Sequence, residues 1–292
     1  MSGKTILAGL IFAASAMGAA AQTQPSFPLT PNDVSCAGVV TSDSVPRDTY
    51  VITGEQSNYE IAFTEGEDIY INKGSAQGAK VGDMFSIIRP VTDPVEEDWT
   101  KWQTALLHKM GTVWEDQGQA RLIVVHENVS IARVEHSCNY IQRGDIALPY
   151  KPGPALTPKA TNFDRFTPSD NKMMAMVVTG KMFQQQVAKN DIVYINLGAG
   201  QGVKAGDYFR IFRYVGTQHE TAYATARFPF DASYGMSPTY GFGASPAKWN
   251  WSNVPRENLG EGLVLRTGPN SATVLITFSL REIFPGDYVE LE

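Results

Sequence analysis

An internal repeat constrains this chain more than any other feature. Residues Tyr70 to Val91 (YINKGSAQGAKVGDMFSIIRPV) and Tyr194 to Val215 (YINLGAGQGVKAGDYFRIFRYV) align without a gap at an offset of 124 and agree at 13 of 22 positions. A match of that density between segments so far apart marks a tandem duplication, so each copy is a candidate structural unit. A second paired block runs from Gly118 to Asp145 and from Gly260 to Asp287, at an offset of 142. The growth from 124 to 142 means that the second copy carries 18 more residues in its centre.

Each copy reads as strand, tight turn, strand. Phe85 and Ile87, like Phe209 and Ile211, alternate with Ser86 and Arg210, the period-two pattern of a strand with one buried face. Gly74, Gly78 and Gly82, with Gly198, Gly202 and Gly206, are expected to supply positive φ in the turn. Asp83 and Asp207 follow the last glycine, where a short carboxylate accepts backbone N–H groups. A phosphate-cradling loop needs a helix directly after its glycines, and a strand pattern follows here. Each copy then closes with a second glycine-aspartate turn, Gly144-Asp145 and Gly286-Asp287, and a final strand.

Upstream, Tyr50–Gly54 and Tyr59–Phe63 read as short strands, and Met176–Gly180 matches the first of them. About six short strands per copy, joined by glycine turns, indicate a small closed barrel or sandwich in a mainly β chain. The expected organisation is a signal peptide at 1–21, a proline-rich arm at 22–47, and a first module at 48–148. A linker carrying Pro149, Pro152, Pro154, Pro158 and Pro168 fills 149–170, and a second module spans 171–292.

The signal peptide is read from Lys4, an apolar run from Ile6, and Ala19-Ala20-Ala21 before Gln22. That run is shorter than a membrane span, so the mature chain is expected to be periplasmic or secreted, with no transmembrane segment. A formal net charge of −6 argues against nucleic acid as a partner. Cys36 and Cys138 are the two cysteines. A bridge between them would tie the arm to the end of the first module and, in the chain-entropy model, stabilise by roughly 4–5 kcal/mol. Free buried thiols, or redox or metal chemistry, are the other readings of the pair; no Cys-x-x-Cys spacing supports the last.

Two insertions interrupt the modules. In the first, Val95, Trp99, Trp102, Leu106 and Met110 recur at helical spacing after Asp93-Pro94, which predicts an amphipathic helix of about 15 residues. It serves either as a lid on the barrel or, through Trp99 and Trp102, as a surface for the other module or a partner. The second insertion holds Phe228, Phe230, Tyr234, Tyr240, Phe242, Trp249 and Trp251 among glycine, proline and serine. Those rings either pack on the barrel, contact a partner protein or stack on a glycan.

Catalytic motifs are missing from the sequence. His108, His126, His136 and His219 have no metal-ligand spacing, no Gly-x-Ser-x-Gly elbow occurs, and neither cysteine has a nucleophile's setting. The expectation is a chain with no catalytic residues, no cofactor and no metal. A hydrolase with an unrecognised carboxylate site is the competing class.

The pattern Tyr-Ile-Asn-x-Gly-x-x-x-Gly-x-Lys-x-Gly-Asp-x-Phe-x-Ile-x-Arg, present at 70–89 and 194–213, resembles the C-terminal domain of the flagellar assembly protein T. It is also similar to modules of exported bacterial proteins, some of which carry peptidoglycan-binding LysM domains. The resemblance implies an SH3-like β-barrel for each module. It implies an exported binding or scaffold protein of the cell envelope, whose target is an envelope protein or assembly, with peptidoglycan or another glycan as the alternative.

Overall fold

The structure, a computed structural model, describes residues 29–55, 58–94, 98–100, 102–161, 163–214 and 255–292. The expected signal peptide and the aromatic residues Phe228, Phe230, Tyr234, Tyr240, Phe242, Trp249 and Trp251 lie outside the described residues. The chain is mainly β. After a short helix, α1 (Pro31–Ser35), and a strand, β1 (Val39–Thr41), the first half contributes β2 (Val51–Gly54), β3 (Ala62–Phe63), β4 (Asp68–Ile71) and β5 (Met84–Val91). Helix α2 (Gln103–Met110) precedes β6 (Thr112–Val125), β7 (Ser130–Ser137), β8 (Ile141–Gln142) and β9 (Ile146–Pro149). The second half holds β10 (Met174–Gly180), β11 (Ile192–Ile195), β12 (Tyr208–Arg213), β13 (Glu257–Thr267), β14 (Ala272–Ser279) and β15 (Tyr288–Leu291).

Strands β10-β11-β14-β13-β12-β15 form a closed barrel. The first half repeats the order as β2-β4-β7-β6-β5-β9, with β1 added on β6. Its ends meet at a bridge between Tyr50 and Ile146, flanked by the bond from the Val51 N–H to the Asp145 carbonyl at 2.8 Å. The same place in the second barrel is the Met176–Tyr288 pair.

Register is conserved between the halves at the two offsets read from the sequence. Phe85 sits opposite Ala120 and Pro149, and Phe209 opposite Gly262 and Leu291. Bulges recur between Ile87 and Ile88 and between Ile211 and Phe212. Each half therefore encloses its own apolar interior: Val51, Ile71, Phe85, Ile87, Leu122 and Val134 in the first, Val177, Ile195, Phe209, Ile211, Val264 and Ile276 in the second.

The turns repeat as closely. Gly78, Gly82, Gly202 and Gly206 take φ of 82°, 94°, 90° and 98°, the left-handed region that a residue with a Cβ enters at a cost. Asp83 accepts the Lys80 N–H at 2.9 Å and Asp207 the Lys204 N–H at 2.8 Å. Gly74 and Gly198 depart from expectation, with φ of −126° and −145°. They are glycines because a Cβ would lie 2.3 Å from the Glu127 carbonyl oxygen in one copy and 2.4 Å from that of Gly268 in the other. Between the strands the chain makes a short 3-10 turn, Ser75–Gln77 or Ala199–Gln201, rather than a simple hairpin.

At the closing turns, Gly144 and Gly286 also take positive φ. Asp145 receives Arg89 at 2.7 and 2.8 Å, and Asp287 receives Arg213 at 2.6 and 2.7 Å. Burial pushes the Asp287 carboxyl above its ordinary value, with the Arg213 guanidinium pulling the other way.

Two expected elements are shorter than their sequence pattern. Of Tyr59–Phe63, Ala62–Phe63 alone pairs, against β8. The helix of the first insertion covers eight residues instead of about 15. Trp102 stands at its N-cap with φ 71°, which is incompatible with continuing a helix through it. The Asp98 carboxylate accepts the Thr104 N–H at 2.8 Å and the Gln103 side chain accepts the Trp99 N–H at 2.8 Å, so local side chains take donors that an earlier helical turn would use.

Candidate functional site

A densely bonded polar region among the described residues is the junction where the second barrel rests on the first. Its centre is the segment Cys36 to Thr41, which crosses the outside of the first barrel. Val39 to Thr41 pair antiparallel with Thr112 to Trp114 of β6. Cys36 is bonded to Cys138, after β7, with Cα atoms 5.3 Å apart, so the expected disulfide is present and the arm is covalently tied to the first module. Before it, α1 is set by a capping box in which Thr30 and Asp33 exchange bonds, and Pro31 opens the helix.

The other side of this segment serves the second barrel. Thr273 Oγ1 donates to the Gly38 carbonyl at 3.0 Å, and Tyr194 Oη to the Ala37 carbonyl at 3.4 Å. Ser271 Oγ donates to the Val40 carbonyl and Lys181 Nζ to the Cys36 carbonyl. Gly38 has φ 70°, and a Cβ there would come within 2.5 Å of the Tyr194 hydroxyl, so neither the turn nor the approach admits a side chain. Asp116 ties all three parts together: Oδ2 accepts the Gly38 N–H at 2.7 Å and the Arg266 guanidinium at 2.8 Å. Burial pushes the Asp116 carboxyl up, while Arg266 and the Gly38 N–H pull it down. Burial also pushes the Tyr194 phenol upward, reinforced by Glu115 and Asp116.

Helix α2 completes the junction. Met110 is buried with Val40, Val113, Val178 and Tyr194, and Leu106, Leu107 and Phe183 pack on that cluster. Gln103 Nε2 donates to the Val178 carbonyl at 2.7 Å. Of the two sequence readings, the helix therefore docks on the other module, but through Gln103, Leu106, Leu107 and Met110. Trp99 is half-buried, and Trp102 is 64% exposed and outside the packed cluster. The β10–β11 connection carries Met182 and Phe183 at φ 56° and 57°, two consecutive left-handed residues, of which Phe183 packs on the cluster while Met182 is 61% exposed.

His136 stands beside the disulfide, with Nε2 3.4 Å from Cys36 Sγ and Nδ1 3.6 Å from a Glu65 carboxylate oxygen. Cys36, His136 and Cys138 bring ligand atoms within 4.8 Å of one another. With the sulfurs bonded to each other, they are not the thiolates a soft metal requires.

Of the residues singled out from sequence, Gly144, Asp145, Gly286 and Asp287 lie where the barrels close, the cysteines where the arm is tied, and Gly78, Gly82, Asp83, Gly202, Gly206 and Asp207 in the β4–β5 and β11–β12 connections. The junction residues Gly38, Gln103, Asp116, Lys181 and Arg266 belong to no sequence motif, and Tyr194, the first residue of the repeated pattern, has no feature that marks it as a junction residue. One signal for the Arg–Asp pairs was present: Arg89 and Asp145 recur as Arg213 and Asp287 at equivalent places of both copies. No helix among the described residues is long and apolar enough to cross a membrane. Compared with known protein families and with curated proteins, the chain matches no family and no protein.

Proposed function

We propose that this chain is an exported, non-catalytic binding and scaffold protein of the bacterial cell envelope, built from two SH3-like modules and acting through protein–protein contacts. The observation that carries the reading is the junction itself. A disulfide, a buried carboxylate shared by both barrels and a crossing arm hold two binding-sized modules in one fixed relation, which suits a body that presents surfaces. The Arg89–Asp145, Arg213–Asp287 and Asp116–Arg266 pairs, each with a buried carboxylate, hold the barrels or the junction. Exposed aromatic and apolar side chains, with Tyr59 at 90%, Ile61 at 78% and Trp102 at 64%, supply contact area of the kind that anchors protein interfaces.

The test is crosslinking in intact envelopes followed by mass spectrometry, with Tyr59→Ala and Trp102→Ala variants beside the wild type. Specific crosslinks to one envelope protein or assembly, weakened in the variants, are the expected result. Sedimentation with purified cell-wall sacculi and no protein crosslinks would replace this reading with glycan binding.

A further inference from the structure

The docking surface of the second barrel is one cross-strand row on its outer face: Val178, Tyr194, Thr273 and Arg266. Tyr194 pairs with Thr273, and Thr273 with Arg266, while Val178 sits in the bulge beside Thr179, the partner of Tyr194. All four are engaged across the junction. Val178 takes the Gln103 amide, Tyr194 and Thr273 donate to the carbonyls of Ala37 and Gly38, and Arg266 pairs with Asp116. Phe183 flanks the row and packs on the cluster around Met110.

Because register is shared, the first barrel carries the same row at Ile52, Tyr70, Ile131 and Val124. Tyr70 pairs with Ile131, Ile131 with Val124, and Ile52 sits in the bulge beside Thr53, the partner of Tyr70. Every member is apolar or aromatic. Ile52 and Val124 are 38% and 40% exposed, where Val178 is fully buried. Tyr59, in the connection that corresponds to the one holding Phe183, is 90% exposed.

One part of the receiving side, the segment that crosses the barrel, is duplicated too. On the first barrel it is a leading segment that crosses β6 near Asp116. On the second, residues 164–167 cross β13 at Asn258, the counterpart of Asp116. The Asn258 N–H donates to the Arg165 carbonyl at 2.9 Å, and its side-chain amide to the carbonyls of Asp164 and Thr167 at 2.9 and 3.2 Å. Phe166, on this segment, is 59% exposed.

The chain thus holds two rows and two receiving segments, and the internal junction uses one of each. We infer that the remaining pair, the Ile52–Tyr70–Ile131–Val124 row of the first barrel and the Phe166 segment of the second, joins one copy of this chain to the next, head to tail. The two sit on different modules, and such a heterologous contact repeats from copy to copy into a ring or an open array. An exposed apolar row on a sheet face gives the contact its driving force.

Light scattering coupled to size-exclusion chromatography, on purified protein at rising concentration, tests this. The wild-type average mass is expected to climb beyond that of a dimer. A row variant, Ile52→Lys with Tyr59→Lys, and a segment variant, Phe166→Lys, are each expected to stay monomeric. Mixed one to one they should form a heterodimer and nothing larger, since each keeps the half the other lost; that recovery also shows both variants folded. Wild-type protein that is monomeric throughout overturns the proposal and leaves the row to a different protein or a glycan. Self-association that survives in either variant, including two-fold pairing that Phe166→Lys leaves intact, or a mixture that fails to pair, overturns it as well.

Discussion

The two barrels share strand order and register, yet at two of four equivalent positions on their outer faces an apolar pair in one is replaced by an ion pair in the other. In the first barrel Ile88, Trp114, Ile146 and Leu148 form an apolar cluster with Val39 and Val45 of the arm, and the Cys36–Cys138 bond lies nearby. In the second, Phe212, Arg256, Tyr288 and Glu290 occupy those places. Arg256 pairs with Glu290 at 2.6 Å, with both side chains almost fully buried, and its guanidinium lies 4.3 Å from the Phe212 ring centroid. The linker that crosses this face is held by polar contacts: Ser169 to Glu290, Arg165 to Glu257 and Lys159 to Glu292. A duplicated barrel needs its outer face covered in both copies, and one cover is greasy and covalent while the other is ionic. The difference lies in how each cover fails, since a buried ion pair is costly to break and gives little net stability over an apolar replacement.

The largest effect is expected from breaking the ionic cover on one side. Glu290→Gln leaves the Arg256 charge buried without its counter-charge and should cost about 3–5 kcal/mol in denaturant unfolding. Transplanting the first barrel's solution, Arg256→Trp with Glu290→Leu, should restore most of that loss. A double variant as unstable as the single one would break the comparison. Next in size, replacing Cys36 and Cys138 by serine should cost about 2–4 kcal/mol. Hydrogen exchange should then rise along β1 and at the junction, whereas Glu290→Gln raises it first along 159–170.

The turns sharpen the comparison from the other side, because there the copies agree. Asp83→Ala and Asp207→Ala should each cost about 1 kcal/mol, equal within error, by removing one carboxylate that caps a backbone N–H. The smallest effect concerns pH. Burial raises the Glu290 carboxyl, but the Ser169 hydroxyl and the Arg256 guanidinium outweigh it and hold the group below its usual range. Its contribution is therefore present above about pH 4, the unfolded value, and is lost as pH falls through the lowered folded value. Asp116 runs the opposite way: with its folded value raised, stability falls as pH rises from about 4 through that value, so acid favours the protonated buried form. Exchange measured between pH 5 and 3 should show the linker loosening while the junction at Gly38 stays protected.

How much of this was legible in the sequence follows from what repeats. Phe85 with Phe209, Asp83 with Asp207 and Gly144 with Gly286 announced equivalent barrels because turn chemistry and strand period are local and were copied together. The disulfide was readable because two cysteines leave one pairing. Helix α2 was overextended because Val95, Trp99 and Trp102 fall at helical spacing, while Trp102 in fact adopts a left-handed backbone that spacing does not encode. The junction stayed hidden for a different reason: Gly38, Asp116, Tyr194 and Arg266 belong to four distant stretches, brought together by packing between copies. Nothing in either repeat distinguishes Asp116 from its counterpart Asn258 until the partner across the gap is known.

The placement of Cys36 has a consequence for the order of assembly. Both ends of the bond belong to the first half of the chain, separated by 102 residues, and the segment they fix is the platform on which the second barrel later sits. During synthesis from the N-terminus, domains complete in order of emergence. The cradle can be sealed while residues beyond 150 have yet to appear, so the late-arriving barrel meets a finished seat and contributes nothing to its making.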